Sequence, residues 1–403
     1  MALIEWGVTY NLWEIGETDM GEKNFDVIVV GAGSVGVPVA LALGEMGIKP
    51  LVLDANASPG QGENKKAIGG IRATHSEPAK ILACLRSLEI FCTWEDTYGD
   101  NIEWLKGGYT FPVYRETEEK ALKKILPIQK KYGMNIDFFG PKKIQEMVPG
   151  INAEGLLGGT LSPDDGSASP LRAVNAFYRR AKELGATFLF KEPVETIVLE
   201  NGKIAGVRTK NETYKAPVVV DAAGPRSRAF CSTAGVDVPV TPDSHEAAIT
   251  EPVKPFFTCM VVDLRPGPDS KNYYFYQNRL GQVVFCITPE PLIVGDDKRE
   301  TSIFLPQVGS RMVNLLPRLK NLRVRRVWRG LYPMTPDGSP LVGWNREVGG
   351  LLHATGMCGQ GFMLGPGVGE VVARLIAGKN TDADKIILEG FSPYRKFGGE
   401  ETL

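Results

Sequence analysis

The sequence is poor in the side chains that usually bind metal ions. It has three histidines in 403 residues, and His75, His245 and His353 lie far apart along the chain. The six cysteines are scattered and form no CxxC pair. Structural zinc sites usually draw their ligands from closely spaced cysteines and histidines. We therefore expect no metal site, and we interpret the cysteines as reduced thiols of a cytoplasmic protein.

The chain also lacks an excess of charge and a long apolar run. Lysine and arginine total 46 against 47 aspartates and glutamates, with no basic block, so nucleic acid is not an expected partner. No uninterrupted apolar stretch is long enough to span a bilayer, and the acidic start of the chain is unlike a secretory signal. With 43% hydrophobic residues, the chain is typical of a globular protein, and its length favours two interlocked domains.

Residues 1–23 precede the first predicted strand and contain the aromatic residues Trp6, Tyr10 and Trp13. Two interpretations of this N-terminal extension remain open. It is either a partly ordered tail or an arm that docks on another subunit, because exposed aromatic side chains favour interfaces.

Residues 25–60 have the pattern of a dinucleotide site. FDVIVV has the length and β-branched content of a buried parallel strand. GAGSVG then opens a helix with Gly31, Gly33 and Gly36 in the GxGxxG spacing, which allows a tight turn and the approach of a pyrophosphate to the backbone. The next strand, KPLVLD, ends in Asp54, whose carboxylate can bind an adenosine ribose. The pattern predicts a dinucleotide without choosing between NAD and FAD.

Three later stretches favour the larger cofactor. A second glycine-rich loop, with Gly69 and Gly70, precedes Arg72 at a point where a nicotinamide dehydrogenase usually continues to alternate strands and helices. APVVVDAAGPRS ends a predicted strand in small residues at 222–224, which permit close approach of a ligand. GGLLHATGMCGQGFMLGPGVGE predicts a strand, a glycine-rich turn and a helix whose N-terminus can stabilise negative charge on a ring edge.

Together these stretches resemble the D-amino-acid-oxidase-like superfamily of FAD enzymes, and within it the branch of glycine oxidase and the β subunits of sarcosine oxidase and dye-linked L-proline dehydrogenase. The matching motifs are GAGSVG with Asp54, GGIR, GxxxP at 166–170, VVDAAG, WRGLYPMTPDGSPLVG and GMCGQGFMLGPGVGE. The resemblance implies an α/β fold with a Rossmann-like FAD-binding domain and a second α+β substrate domain built on a mostly antiparallel sheet. We expect the FAD-binding domain at 24–108, 164–232 and 329–403, and the substrate domain at 109–163 and 233–328.

The resemblance also implies how FAD is held. From the ADP half to the pyrimidine edge of the flavin, the expected contacts are Gly31, Gly33, Ser34, Gly36, Asp54, Val194, Ala223, Gly224, Gly70, Ile71, Arg72, Gly359, Gln360, Gly361, Phe362 and Met363. A histidine that carries covalent flavin in some sarcosine oxidase β subunits is replaced near Pro170 and Leu171. We therefore expect non-covalent FAD.

One position departs from the glycine oxidase pattern. Tyr332 occupies the place where glycine oxidase has an arginine for the substrate carboxylate, and tyrosine cannot reproduce that bidentate contact. The L-proline dehydrogenase β subunits resemble the chain better here, since a tyrosine and the MTPD run recur there. Arg329 is expected on the opposite face of its strand. Arg72, or Lys65 or Lys66 of the neighbouring loop, is therefore expected to bind the carboxylate together with the Tyr332 hydroxyl.

The remaining candidates lie in predicted strands of the substrate domain. KNYYFYQNRLGQVVFCITPE predicts a hairpin with a turn near Gly281. Tyr274 and Tyr276 share one side of it, where they either border the substrate or pack between strands. His245, placed before another predicted strand, is a candidate base, whereas His353 is interpreted as a packed strand residue.

These features predict FAD-dependent oxidation of the C–N bond of a small amino acid by hydride transfer to flavin, with a secondary amino acid such as proline or sarcosine favoured. Two alternatives remain open. One is oxidation of a hydroxy acid or glycerol phosphate, for which His245 would be the base. The other is a flavoprotein subunit that relays electrons to a partner subunit or acceptor protein within an oligomer.

Overall fold

The computed structural model describes residues 24–398 of the chain. The N-terminal extension at 1–23 lies outside the described residues. The helices are α1 (Gly36–Glu45), α2 (Pro78–Tyr98), α3 (Glu116–Lys131), α4 (Pro141–Met147), α5 (Pro170–Glu183), α6 (Ser227–Ser232), α7 (Phe304–Leu315), α8 (Gly361–Ile376) and α9 (Asp382–Gly390), with short 3-10 turns at Asn64–Lys66, Gly224–Arg226 and Pro317–Asn321.

The strands are β1 (Val27–Val30), β2 (Leu51–Asp54), β3 (Gly70–Ile71), β4 (Tyr109–Val113), β5 (Asp137–Phe139), β6 (Gly158–Ser162), β7 (Gly166–Ser167), β8 (Thr187–Phe190), β9 (Val194–Glu200), β10 (Lys203–Thr209), β11 (Thr213–Lys215), β12 (Val218–Asp221), β13 (Thr241–Pro252), β14 (Met260–Asp263), β15 (Ser270–Gln277), β16 (Gln282–Pro289), β17 (Val324–Met334), β18 (Leu341–Trp344) and β19 (Leu351–Thr355).

The first large sheet has six strands in the order β18-β19-β12-β1-β2-β8, and all pairs except β18–β19 are parallel. Both faces of β1 are buried, as its continuous β-branched run predicts. Helices α1, α2, α5 and α8 pack in one apolar cluster against this sheet. The smaller sheet β11-β10-β9 contributes to the cluster on the other face. This arrangement confirms the predicted Rossmann-like half of an α/β fold.

The second large sheet has eight strands in the order β17-β13-β16-β15-β14-β4-β6-β5. Its pairs are antiparallel except β14–β4, so the predicted mostly antiparallel sheet is confirmed. One face packs under α7. The other face carries an aromatic cluster that includes Tyr109, Phe111, Tyr274, Tyr276 and Trp328, and we call it the site face.

The predicted hairpin is present as β15 and β16. The division of the chain into two domains stays a prediction. Its boundary at residue 329 falls inside β17, which pairs with β13 from Thr241 opposite Met334 to Thr250 opposite Val324. Within residues 24–398 no helix combines the length and apolar character that crossing a membrane requires.

Candidate active site

The turn between β1 and α1 leaves space where a dinucleotide phosphate would lie. A methyl carbon added at Gly31 would lie 2.4 Å from the Ala222 carbonyl oxygen, and one at Gly36 would lie 1.8 Å from the Gly31 oxygen. One added at Gly33 would meet nothing within 4 Å. Because no side chain caps α1, its first N–H groups face this space, which suits a pyrophosphate.

The acid predicted for the ribose lies at the end of β2 beside this turn. Asp54 Oδ2 accepts a hydrogen bond from the Ala32 backbone N–H at 2.7 Å. The backbone N–H of Glu192 donates to the Asp54 carbonyl at 3.0 Å, so the segment that leads into Val194 runs past the same strand end. The structure thus brings Asp54, Val194 and the glycine turn to one end of the sheet, as the adenosine half of FAD requires.

The predicted flavin turn contacts both large sheets. Gly359 has a φ of +80°, and a methyl carbon added there would lie 2.3 Å from the Tyr332 ring. Beside it, the Cys358 backbone N–H donates to the Pro333 carbonyl at 3.1 Å. A methyl carbon at Gly361 would lie 3.1 Å from Ser34 Oγ, so the start of α8 also meets the phosphate turn. The helix α8 begins here without a side-chain cap.

The GGIR loop lies between the two large sheets. Gly70 and Ile71 form β3 and pair with β7. A methyl carbon at Gly70 would lie 2.1 Å from the Tyr109 hydroxyl, so only glycine allows this approach to the site face. Arg72 follows, and its Cζ lies 5.7 Å from the centre of the Phe111 ring. Its Nη1 donates to the Thr74 carbonyl.

The guanidinium of Arg72 forms no salt bridge with any carboxylate among residues 24–398. Arg72 interacts electrostatically with the buried acid Asp165, whose Oδ1 accepts the Ala73 N–H at 3.1 Å and whose Oδ2 has no partner in the described part of the chain. Burial raises the pKa of Asp165 to about 7. Sequence reasoning missed Asp165, because its burial depends on the contact between the two sheets.

Two tyrosine hydroxyls meet on the site face. Tyr332 and Tyr274 lie 3.0 Å apart, oxygen to oxygen, and Tyr276 donates to the Ile68 carbonyl at 2.5 Å. Burial raises the pKa of Tyr332, of Tyr274 and of Tyr276. These hydroxyls are therefore neutral hydrogen-bond donors at physiological pH, and the predicted sharing of one side by Tyr274 and Tyr276 is observed.

His245 lies inside β13, whereas the sequence pattern had placed it before a strand. Its ring stacks on the Tyr332 ring at 3.7 Å between centroids and an interplanar angle of 17°. Its Nε2 lies 2.7 Å from Asp243 Oδ2. Sequence reasoning missed Asp243, although the two-residue spacing within a strand, which puts both side chains on one face, was a signal that could have found it.

The two loop lysines have different environments. The Lys66 side chain packs over Gly330, and its Nζ pairs with Glu63 Oε2 at 3.4 Å. Glu63 also pairs with Lys298 at 2.5 Å and accepts the Leu331 N–H at 2.8 Å. Lys65 instead points to Gln61 in exposed surroundings. Lys66 is thus the loop lysine beside the site face. As predicted, Arg329 is on the opposite face, where it donates to the Arg299 carbonyl.

One buried cluster has the side chains of a metal site. Asp221, Cys231 and His353 offer ligand atoms within 4.8 Å of one another. However, Asn345 Oδ1 accepts the backbone N–H groups of Glu347 and Val348, so its Nδ2 must donate to His353 Nε2, at 3.2 Å. His353 Nδ1 therefore carries the proton and faces Asp221 at 3.5 Å.

The Cys231 thiol of this cluster is protonated as well. Burial and the Asp221 charge raise the pKa of that thiol. Both ring nitrogens of His353 are engaged by Asn345 and Asp221, and because metal ligation requires a bare imidazole nitrogen, the cluster fits a hydrogen-bonded network within the FAD-binding sheet better than a metal centre. His353 is a packed strand residue, as its sequence context predicts.

Comparison with known proteins identifies the family. The family model described as "FAD dependent oxidoreductase" matches residues 26–375. The chain belongs to this family of FAD-dependent oxidoreductases. The oxidoreductase is 24% identical to glycine oxidase of Bacillus licheniformis, with 93% of the chain and 98% of that protein covered. It is 22% identical to the sarcosine oxidase subunit beta of Rhodobacter capsulatus, with 88% and 86% covered.

Among solved structures, the oxidoreductase resembles L-proline dehydrogenase from P. horikoshii. The two are 31% identical, the TM-score is 0.87, and 93% of the chain and 98% of that structure are covered. The predicted family, enzyme class and FAD cofactor are confirmed. Three features of the structure fit FAD. They are the free space beside Gly33, the carboxylate of Asp54, and the N-termini of α1 and α8, which have no side-chain cap. When bound, FAD supplies the acceptor for a hydride taken from the substrate.

Proposed function

We propose that the enzyme oxidises the C–N bond of a small amino acid, and that a secondary amino acid such as proline or sarcosine is preferred. The observation that carries the proposal is the Arg72 guanidinium, which lies between the GGIR loop and the site face without a salt bridge in the described part of the chain. The guanidinium is half-buried, and a charge that is partly withdrawn from water is costly unless it is paired. A substrate carboxylate would be the missing partner of the Arg72 guanidinium.

The site face supplies the rest of the carboxylate site. The hydroxyl of Tyr332 is neutral because burial raises its pKa, so it can donate a hydrogen bond to a carboxylate oxygen. Its ring contacts Gly359 and stacks on the His245 ring. In glycine oxidase an arginine occupies the place that Tyr332 has in this chain. We propose that Arg72 and Tyr332 together perform the role of that arginine.

The walls of the site are largely aromatic. Tyr109, Tyr274, Tyr276 and Met260 belong to the apolar cluster of the site face. Such surfaces pack well against methylene groups and exclude water, which suits the ring of proline or the methyl group of sarcosine. The names of two relatives, L-proline dehydrogenase and sarcosine oxidase subunit beta, support the same class of substrate.

Glycerol phosphate fits this site less well. A phosphate dianion needs several cations, whereas Lys66 and Lys298 already share the Glu63 carboxylate. Within the GGIR loop itself, Arg72 is the one cation. A hydroxy acid would satisfy Arg72 equally well, so lactate is included in the substrate panel below.

A second candidate function is that of a flavoprotein subunit within a larger assembly. The relative from Rhodobacter capsulatus is named as a subunit, and β16 is followed by a run of exposed apolar side chains at Leu292, Ile293 and Val294. A contiguous exposed apolar patch favours a protein contact. Purification from the native cell, followed by mass analysis of the intact assembly, would identify a partner or show the chain alone.

The experiment that tests the proposed function is a substrate panel with the FAD-loaded enzyme under anaerobic conditions. Proline, sarcosine, glycine, lactate and glycerol 3-phosphate are each mixed with the enzyme, and bleaching of flavin absorbance is recorded. We expect the secondary amino acids to reduce the flavin at the lowest concentrations. Reduction by lactate or glycerol 3-phosphate alone would contradict the proposal.

A further inference from the structure

Strand β13 places a carboxylate and an imidazole side by side next to Tyr332. The side chains of His245 and Asp243 are 4% and 2% exposed, and Nε2 of the one lies 2.7 Å from Oδ2 of the other. An ionised carboxylate only accepts hydrogen bonds. The Nε2 atom of His245 therefore carries the proton, and its Nδ1 atom keeps a bare lone pair in the neutral ring.

That lone pair is buried and unused. His245 Nδ1 has no hydrogen-bond partner in residues 24–398, and it is shielded from solvent. Buried polar atoms without a partner are rare in folded proteins and usually have a specific cause. His353 provides the contrast, because its Nε2 accepts from Asn345 and its Nδ1 faces Asp221. The two histidines are therefore expected to be opposite tautomers.

The His245 ring lies against Tyr332, the residue proposed to bind the substrate carboxylate. Its neighbour across the sheet is Gly330, over which the Lys66 side chain packs, and its ring stacks on Tyr332. Tyr332 in turn contacts Gly359 of the turn proposed to hold the flavin edge. Because the His245 ring stacks on Tyr332 with 3.7 Å between centroids, a substrate held by the Tyr332 hydroxyl would lie close to the imidazole.

The other ionisable groups near His245 are poor proton acceptors. Burial raises the pKa of Tyr332 and of Tyr274, and it raises the pKa of the Cys286 thiol to about 12. The ammonium of Lys66 is paired with Glu63, which Lys298 also neutralises. The titratable and charged groups on the strands and the loop packed around His245 are Asp243, Tyr332, Tyr274, Cys286, Lys66 and Glu63.

We propose that His245 accepts, through Nδ1, the proton that the substrate ammonium must lose before its C–N bond is oxidised. This inference rests on the proposed function. The N–H bond of the ammonium breaks, its electron pair stays on the substrate nitrogen, and the proton bonds to Nδ1 and makes an imidazolium. Asp243 acts as a positioning residue, because its carboxylate holds the ring tautomer and offsets the new positive charge.

The tautomer can be measured without turnover. The chain has three histidines, so long-range ¹⁵N–¹H NMR of the tag-free, FAD-loaded protein gives three sets of ring signals, which His245→Gln assigns. We expect the Nε2–H tautomer at His245 and the Nδ1–H tautomer at His353. In Asp243→Asn the His245 preference should weaken. An Nδ1–H tautomer at His245 in the native protein would overturn the inference.

The proton transfer is tested by the pH dependence of anaerobic flavin reduction at saturating amino acid. In the native enzyme the limiting rate should fall at low pH through one ionisation. His245→Gln should lose that ionisation, reduce flavin about a hundredfold or more slowly near neutral pH, and recover at high pH, where the substrate arrives as free amine. Asp243→Asn should move the ionisation to lower pH, because a carboxylate no longer stabilises the imidazolium.

The results separate this inference from the proposed function. If no small amino acid reduces the native enzyme, the proposed function fails, while the NMR experiment still reports on the His245 tautomer. If the native enzyme is reduced and His245→Gln keeps the same pH profile, the inference alone is overturned. If His245→Gln does not hold FAD, Asp243→Asn decides: an unchanged profile contradicts the inference and a shift to lower pH supports it.

Discussion

The substitution Tyr332→Phe removes one hydroxyl and leaves the packing of the site intact. The phenyl ring keeps its stacking on His245 and its contact with Gly359. The Tyr274 hydroxyl loses its partner at 3.0 Å but retains Cys286 nearby as an alternative. The main loss is therefore a hydrogen bond to the substrate carboxylate. Such bonds to charged groups contribute roughly 1.5–3 kcal/mol, which corresponds to an increase in the substrate dissociation constant of about ten- to a hundredfold.

The assay is anaerobic titration of the FAD-loaded variant with the best substrate, read from flavin absorbance, beside a measurement of FAD occupancy. Tyr273→Phe is the matched control, because the Tyr273 hydroxyl is buried on the opposite face of the same sheet and has no partner in the described residues. It should bind substrate normally. Native affinity in Tyr332→Phe with FAD intact would remove this hydroxyl from the site and refute the reasoning.

Three further outcomes are expected. Arg72→Met should weaken substrate binding at least as much as Tyr332→Phe, measured by the same titration, and native affinity with full FAD occupancy would exclude Arg72. Asp54→Ala should lower FAD occupancy. In a separate experiment, denaturation of the native protein should release intact FAD, and flavin that stays on the precipitate would contradict non-covalent binding. Asp165 loses its proton near pH 4 when unfolded and near pH 7 when folded. The free energy of unfolding of the native protein should therefore decrease as the pH rises from about 4 to about 7. Denaturant unfolding of Asp165→Asn should lack this decrease.

The FAD-binding half of the fold could be predicted because its signals are local. The β-branched run of β1, the glycine spacing and Asp54 all lie within 28 consecutive positions, from Val27 to Asp54. Each reports on one short piece of backbone that is nearly the same in every such fold. The hairpin of β15 and β16 was predictable for the same reason, since strand alternation and a turn residue at Gly281 are adjacent in sequence.

The arrangement of the site face was harder to predict because it depends on register between distant segments. Asp243 and His245 meet Tyr332 only because β13 pairs with β17 some 90 residues later, with Asp243 opposite Tyr332. A shift of one residue would turn these side chains to the α7 face. The same reason explains why the sequence pattern placed His245 outside its strand.

The environments of the two loop lysines also could not be predicted from the sequence. Lys65 and Lys66 are adjacent, yet one is exposed and the other packs over Gly330 and pairs with Glu63. The lack of a side chain at Gly330 creates the space for that contact. Asp165 is likewise buried because the GGIR loop meets the second sheet. No single segment of the sequence indicates that contact.

Arg72 and the site face are proposed to hold an amino acid by its carboxylate while its C–N bond is oxidised. The most direct test is anaerobic titration of the FAD-loaded enzyme with L-proline and with L-prolinamide, which has the same ring and amine but no carboxylate. Arg72 is half-buried, and the amide would lose charged hydrogen bonds to both Arg72 and Tyr332, each of which contributes roughly 1.5–3 kcal/mol. We therefore expect L-proline to bleach the flavin and L-prolinamide to require at least a hundredfold higher concentration. Equal bleaching by both compounds would contradict the account.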